Sequence, residues 1–319
     1  MDGSFQTIRR NAASMLGSSL LAQSVGVIVT AVVTAFATVS AGSLASWFES
    51  RSDSDLAALG FGVAGGLLLV AALTLVISAV LQGAMVVPVA RSILNRQTGF
   101  RQMWALARPS AGALIRLAGI LFAATMLASG LLVLVSALLI ASLGGVAILI
   151  VMPLALGLFV LMIWIYIKLM VAPAAIVVEQ IGALDGIRRS WGLTRGHWWR
   201  ILGITLVVSI MVGVIAQIVM IPISLLSGFL TAVVSPHGGQ GQAAAVAVAA
   251  GVVSAIVAAL VGAVGYAFQT SVMALLYMDL RMRKDGLDIE LLRLLESGAD
   301  PHGVPGRGLP SYGATADAA

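Results

Sequence analysis

The chain has 319 residues, of which 60% are hydrophobic and only 10% are charged, and its mean hydropathy is +1.06. Soluble domains are usually about a quarter charged, so this composition excludes water as the main solvent of the fold. The chain has no cysteine, which excludes disulfides, thiolate metal sites and cysteine nucleophiles. The net charge of +5 becomes informative only through its distribution along the chain.

Several apolar runs are longer than the roughly 20 residues that a helix needs to cross a bilayer. They show no alternation of polar and apolar residues, which favours helices over a transmembrane barrel. The first run is too long for the apolar region of a secretory signal, so we expect a retained span. The runs predict six spans, at about Leu16 to Phe48, Leu56 to Ala90, Ala113 to Ala141, Val146 to Val171, Ile201 to Val234 and Ala243 to Met278.

The sequence therefore predicts an all-α, polytopic integral membrane protein with about six transmembrane helices. In chain order we expect an interfacial segment at 1–15, a six-helix membrane domain at 16–278, an amphipathic helix at 279–296 and a disordered tail at 297–319. The helix is predicted because leucines share one face of a charged segment, and the tail because it is rich in Gly, Pro, Ser and Ala.

Lysine and arginine fall almost entirely on alternate connectors between the predicted spans. Of the 18 basic residues, only Arg51 lies on the opposite set of connectors. The positive-inside rule assigns the basic side to the cytoplasm. We therefore expect both termini to be cytoplasmic and the number of spans to be even.

The sequence contains an internal repeat. A Met-Val-x-Pro motif at Met85 to Pro88 precedes Trp104 to Arg108 (WALAR), and a second at Met170 to Pro173 precedes Trp191 to Arg195 (WGLTR). A weaker third copy opens the chain at Phe5 to Leu16. The repeat predicts three tandem units, each an interfacial helix followed by a helical hairpin. The alternative is coincidence within a biased composition.

Small residues recur every four positions in the last predicted span. This spacing places them on one stripe of a helix, where they permit close approach of a neighbouring helix. The stripe consists of Ala247, Gly251, Ala255, Ala259, Ala263 and Ala267.

No catalytic constellation is recognisable in the sequence. The three histidines, His197, His237 and His302, are too scattered to predict a common metal site. Phosphate-binding loops and nucleophile elbows are also missing. We expect no catalytic residue, no cofactor, no metal and no nucleic-acid partner. Lys168 and Arg116 lie near the basic ends of their spans, where we expect them to reach towards the headgroups.

The segment from Ala172 to Ile204 is the most distinctive stretch of the chain. Its tryptophans suit the level of the lipid headgroups, and its arginines suit lipid phosphates or an acidic partner surface. We expect Glu179 and Asp185 to pair with some of these arginines; the plainer alternative is that the segment only anchors the fifth span. The predicted headgroup or partner contacts are Arg188, Arg189, Trp191, Arg195, Trp198, Trp199 and Arg200.

This segment resembles the membrane-domain family named after glycerophosphoryl diester phosphodiesterases. The resemblance rests on Glu179, Ala183, Ser190, Trp191, Leu193, Thr194 and Arg195, and on an ending similar to that of bacterial members, with Tyr277, Asp279, Arg281, Arg283, Gly286 and Asp288. It implies a stand-alone bacterial membrane module. The phosphodiesterase chemistry of such proteins belongs to a separate soluble barrel of about 250 residues, for which no segment here is long enough.

From these features we expect a non-enzymatic protein of the bacterial cytoplasmic (inner) membrane. It would act as a membrane scaffold or lipid-contacting accessory protein, with membrane lipids, anionic ones above all, as partners. A membrane-protein partner or a second copy of the chain would be a further contact. The alternative is a transporter or flippase-like protein for a lipid or small molecule. A membrane-embedded hydrolase would need a converging acid, base or metal set that the sequence does not offer.

Overall fold

The computed structural model of the protein describes residues 14–28, 53–234, 240–297 and 303–307. Within these ranges the regular secondary structure is helical, with α-helices and short 3-10 segments and no strand. The prediction of an all-α fold is therefore confirmed. The predicted interfacial segment at 1–15 lies almost wholly outside the described residues.

Ten α-helices are numbered here in chain order for the described ranges. Two short 3-10 segments, Arg108–Ser110 and Gly144–Ala147, connect neighbouring helices. The helices are α1 (Ser14–Ile28), α2 (Asp53–Ile93), α3 (Phe100–Ala107), α4 (Ala111–Leu143), α5 (Ile148–Leu169), α6 (Ala172–Glu179), α7 (Ala183–Thr194), α8 (Trp198–Val234), α9 (Gln240–Asp285) and α10 (Leu287–Ser297).

Four segments of the described chain are long and apolar enough to cross a membrane: Gly65–Ile93, Phe100–Glu179, Trp198–Leu226 and Val248–Asp285. The second of these contains both α4 and α5, which are joined through Gly144. Gly144 has a φ of +58°, a backbone conformation that glycine adopts more readily than other residues. The protein is therefore a multi-pass membrane protein. The predicted number of six spans is not confirmed, because most of the first predicted span lies outside the described residues.

The order of one short helix followed by two long helices occurs twice, as α3–α4–α5 and as α7–α8–α9. The two Met-Val-x-Pro motifs nevertheless have different local structures. Pro88 lies inside α2, which continues to Ile93, whereas Pro173 lies in the first turn of α6, just after α5 has ended. Proline fits the first turn of a helix without losing a hydrogen bond. The second motif therefore begins a new helix, whereas the first lies within a helix that continues past it.

A tight reversal joins α6 to α7. Gln180 adopts a left-handed conformation with a φ of 55°, and Gly182 is extended before the first turn of α7. The two helices cross so closely that a Cβ atom at Gly186 would lie 2.5 Å from Cγ1 of Ile176. Glycine at this position lets α7 fold back on α6, which places the arginines of α7 beside the last residue of α6.

The buried core of the described chain lies at one end of the helices. It contains the end of α2, the last turn of α5, the C-terminal part of α9, the first turns of α4 and α8, nearly all of α6, and one face each of α3, α7 and α10. We call this region the basic end, because the arginines of α3, α7 and the last turns of α9 lie there. Burial along the small-residue stripe of α9 increases towards the basic end. Gly251 is exposed, Ala255 and Ala259 are half-buried, and Ala263 and Ala267 are buried.

Residues 303–307 form a turn packed into the basic end. Val304 is 3% exposed and belongs to the core, while Arg91 donates a hydrogen bond to the carbonyl of Gly303 at 2.9 Å and Arg281 donates one to Gly306 at 3.1 Å. This differs from the disorder predicted for 297–319 at these five residues, because a single buried valine and two guanidinium donors fix a short Gly-Pro turn. Residues 298–302 and 308–319 lie outside the described ranges.

Candidate functional site

Four charged side chains and one tyrosine meet where α6, α7 and α9 converge. Nε of Arg189 donates to both carboxylate oxygens of Glu179 at 3.0 Å, and the other arm of Arg189 pairs with Asp285. The hydroxyl of Tyr277 donates to Glu179 at 2.8 Å. Nε of Arg281 lies 3.5 Å from Glu179 and 3.4 Å from Asp285. We call these five residues the Glu179 network.

The Glu179 network is electrically balanced and mostly shielded from solvent, with Arg281 buried and Arg189 partly exposed. Its two guanidinium groups face two carboxylates, and the side chain of Arg281 is only 2% exposed. Burial alone would lower the pKa of Arg189, but the charges and hydrogen bonds of Glu179 and Asp285 outweigh burial and raise that pKa above its ordinary value. Because Glu179 already accepts bonds on both oxygens, the arrangement ties three helices together and leaves no free base at this position.

Sequence reasoning found part of this network. The expected pairing of Glu179 with an arginine of α7 is observed, whereas Asp185 is exposed and does not belong to the network. Tyr277, Arg281 and Asp285 were missed as partners. Their spacing of four residues places them on one face of α9, and this signal could have identified them.

The predicted contact residues divide into two groups. Arg189 points into the Glu179 network and Trp198 is half-buried, while Arg200 lies 3.4 Å from Asp279 in a half-exposed ion pair. The others, Arg188, Trp191, Arg195 and Trp199, are exposed, and Trp199 has 77% of its surface accessible. This second group presents cations and indole rings to the surroundings of the protein without an acidic partner among the described ion pairs, whereas the exposed Arg200 shares its charge with Asp279.

Lys168 has a different environment from the one that the sequence predicts. It is 7% exposed, and its ammonium nitrogen lies 5.8 Å from the ring centre of Trp164 and 5.4 Å from that of Trp191. The two indoles meet edge to face at 5.2 Å. Indole faces attract a cation, so the lysine is held between α5 and α7 rather than extended towards the headgroups.

The C-terminus of α7 is closed by a lysine from α9. Nζ of Lys284 donates to the carbonyls of Gly192 at 2.7 Å and of Arg195 at 3.0 Å. These carbonyls carry the negative end of the helix dipole, which favours a cation there. The contact fixes the loop that carries Arg195 against the last turn of α9.

Three surface grooves at the basic end combine an aliphatic lining with arginine. One of about 310 Å³ lies beside α3 with Arg101 and Arg108 and has no acidic side chain in its lining. One of about 590 Å³ lies between α4 and α7 with Arg116 and Asp185, and the third, of about 470 Å³, lies between α8 and α9 and ends at the Arg200–Asp279 pair. An apolar groove with a cation at its end suits an acyl chain joined to an anionic group.

A family model described as a domain of unknown function (DUF7847) matches residues 105–280. The chain belongs to this family. The DUF7847 match covers α4 to α8 and most of α9, including Glu179, Arg189 and Tyr277, and it ends one residue before Arg281. It does not confirm the resemblance to the phosphodiesterase-associated membrane domains. Comparison with curated proteins and with solved structures found no match.

The residues described for this DUF7847 protein contain no group of three or more histidine, aspartate or glutamate side chains that could hold a metal ion. The acidic residues at the basic end instead face arginines, as in the Glu179 network and in the pair of Arg200 with Asp279.

Proposed function

We propose that this protein is a non-enzymatic, lipid-contacting membrane protein whose basic end binds anionic phospholipids. The observation that carries the proposal is the aliphatic groove beside Arg101 and Arg108, which no acidic side chain lines, together with the exposed arginines and tryptophans of α7 and the start of α8. Guanidinium groups match phosphate geometry, and indole rings favour the headgroup level. A scaffold role would follow from gathering such lipids, or an acidic partner, at this surface.

The orientation and the location belong to the same proposal. The basic end would face the cytoplasm of a bacterium, with both termini on that side, because lysine and arginine are concentrated there. The resemblance to bacterial phosphodiesterase-associated membrane modules supports a location in the cytoplasmic (inner) membrane. The enzymatic domain of those proteins is not part of the proposal.

Tryptophan quenching by brominated lipids tests the proposal directly. The full chain is reconstituted in bilayers that contain brominated phosphatidylglycerol or brominated phosphatidylcholine, and the relative lipid affinity is read from the quenching. We expect a preference for the anionic lipid that falls when Arg188 and Arg195 are both changed to glutamine. Each charge near a membrane surface contributes about 1 kcal/mol, so the double variant should lower the preference by up to about thirty-fold.

A matched control uses an exposed arginine that already has an acidic partner. Nε of Arg283 lies 3.0 Å from the carboxylate of Asp279, which also pairs with Arg200 at 3.4 Å, so part of its charge is offset. Arg283→Gln should therefore lower the lipid preference less than the loss of either Arg188 or Arg195. Equal affinity of the unmodified protein for the two lipids, or an unaltered preference in the double variant, would contradict the proposal.

A transporter or flippase-like protein for a lipid or small molecule is the second candidate. One observation favours it: uncharged polar side chains of α2, α5, α8 and α9 line a common cleft within the membrane domain. The repeated short–long–long units also fit carriers, many of which arise from internal repeats. Protein-dependent movement of a fluorescent lipid between the leaflets of proteoliposomes would support this candidate over the first.

A further inference from the structure

A polar cleft of about 60 Å³ lies between α2, α5, α8 and α9, away from the arginines of the basic end. Its polar lining consists of Gln82, Tyr166, Thr205, Ser209, Tyr266, Gln269 and Thr270. Ser209 follows Arg200 by nine residues and Gln269 precedes Asp279 by ten, so both lie about 15 Å along their helices from the Arg200–Asp279 pair, at 1.5 Å per residue. That distance is about half of a hydrocarbon core roughly 30 Å thick, which places the cleft inside the bilayer.

The cleft opens sideways from the protein. Tyr166, Ser209 and Gln269 are exposed, and all three belong to segments long and apolar enough to span a membrane. Hydrocarbon cannot hydrogen-bond to a hydroxyl or an amide, so polar groups at this depth are costly unless a polar partner satisfies them. A partner must therefore reach the cleft from within the bilayer.

Thr270 lines the cleft and carries a buried hydroxyl. Its side chain is 1% exposed, yet its hydroxyl oxygen has no hydrogen-bond partner among the described residues. By contrast, the hydroxyl of Tyr266 donates to the carbonyl of Ser78 at 3.1 Å, and that of Thr205 donates to the carbonyl of Ile201 at 2.8 Å. An orphaned buried hydroxyl is unusual and calls for a ligand or a water molecule.

The chemistry of the lining restricts the ligand. The cleft is lined by amides, phenols, aliphatic hydroxyls and apolar groups, and no charged side chain lines it. An ionic group would be desolvated there without a counter-charge, which excludes phosphates and ammonium groups. A volume of about 60 Å³ equals the share of about two water molecules in the liquid, so it suits a hydroxymethyl or ester group.

We propose that this cleft binds the uncharged polar end of a neutral membrane lipid with a free hydroxyl, such as a diacylglycerol, while the acyl chains remain in the bilayer. Thr270 and Gln269 would bond to the hydroxyl or the ester carbonyl, and Ser209 would line the entrance. The proposal uses none of the arginines of the basic end. It can therefore fail or succeed independently of the proposed binding of anionic phospholipids.

The test uses the purified full chain and a photoreactive diacylglycerol with a diazirine in one acyl chain. We expect saturable labelling that maps to peptides of α8 and α9, is displaced by dioleoylglycerol and is not displaced by dioleoylphosphatidic acid. Thr270→Val and Gln269→Leu should each weaken competition by about three- to ten-fold, the size of one neutral hydrogen bond.

Two controls separate binding from folding and from the basic end. Thr125→Val removes a hydroxyl of α4 that bonds to the carbonyl of Leu121 and lies outside the cleft, so it should not change labelling. The Arg188→Gln, Arg195→Gln double variant should also label normally. Because the hydroxyl of Thr270 is unpaired without a ligand, Thr270→Val should keep or raise the thermal midpoint of the protein while weakening lipid binding.

Three results would overturn the inference. The first is labelling that dioleoylglycerol does not displace, which would leave water as the occupant of the cleft. The second is equal displacement by phosphatidic acid, which would contradict selection against charge. The third is normal competition in a Thr270→Val, Gln269→Leu double variant whose thermal midpoint is unchanged.

Discussion

The basic end and the rest of the membrane-spanning helices are built on different principles. At the basic end, short helices fold against one another and even Arg281 and Tyr277 are buried. Along α4, α5 and α8, large aliphatic side chains are exposed, and Leu149 in the first turn of α5 has 73% of its surface accessible. One region is thus held by specific side-chain contacts, whereas the other presents apolar surface to its surroundings.

This contrast shows where the sequence must be specific. A lipid-facing position requires only an apolar residue, because hydrocarbon accommodates any aliphatic shape. A position at the basic end must also match the volume, charge and hydrogen bonds of its neighbours. We therefore expect substitutions of the same chemical type to have unequal effects in the two regions.

The largest expected effect comes from Glu179→Gln in the Glu179 network. Glutamine keeps the shape but removes the charge that balances Arg189 and Arg281, so the buried guanidinium of Arg281 and the partly buried one of Arg189 share only Asp285. Breaking a buried ion pair typically costs about 3–5 kcal/mol. The free energy of unfolding, measured by mixed-micelle denaturation, should fall by that order. Asp185→Asn on the exposed face of α7 is the matched control and should change it by less than about 0.5 kcal/mol.

A purely apolar truncation at the basic end should come next. Leu193 of α7 packs into the core and is only 1% exposed, so Leu193→Ala would leave a cavity between α7 and the core. Such truncations cost about 2–5 kcal/mol, depending on how far the surroundings relax. The same denaturation measurement would show the loss. A value below about 1 kcal/mol would mean that α7 is not tightly packed on the core.

A smaller and more local effect is expected at the turn formed by residues 303–307. Gly306 has a φ of +81°, and a Cβ atom there would lie 3.0 Å from both Arg281 and Leu287. Gly306→Ala should destabilise the docked turn by about 1–2 kcal/mol, the usual penalty for a left-handed residue with a side chain.

Hydrogen exchange separates this local effect from global unfolding. Amides of residues 303–307 should exchange faster in Gly306→Ala, while amides of α6 keep their protection. Gly192→Ala is the control, because a Cβ atom there meets nothing within 4 Å and its φ is not positive. Unchanged exchange at 303–307 in Gly306→Ala would contradict the packed turn.

The same contrast explains what the sequence could predict. Helical class, the long apolar segments and the concentration of arginine at one end follow from composition and periodicity, which are properties of whole segments. The pairing of Glu179 with Arg189 was also accessible, because both lie in one short segment. The number of spans is less secure, since apolar length alone does not locate each reversal.

Other features depend on contacts between distant parts of the chain. The stripe of small residues in α9 predicted close packing along its length, yet only the part near Ala263 and Ala267 is buried. Tight approach occurs at Gly83, where a Cβ atom would lie 2.4 Å from Leu114, and at Gly265 of α9, where it would lie 2.6 Å from Val212; neither glycine belongs to the stripe. The docking of Val304 and the position of Lys168 between two indoles were equally inaccessible, because each needs partners more than 20 positions away.

The smallest expected effect completes the comparison with Leu193. Leu149→Ala removes the same atoms from α5, but at a side chain that is 73% exposed within a segment that can span the membrane. Lipid would fill the space, so no cavity forms and the free energy of unfolding should change by less than about 0.5 kcal/mol. Both truncations are measured in the same bilayer-like micelles, so their difference reports packing alone. A loss at Leu149 as large as that at Leu193 would mean that a second copy or a partner helix covers α5.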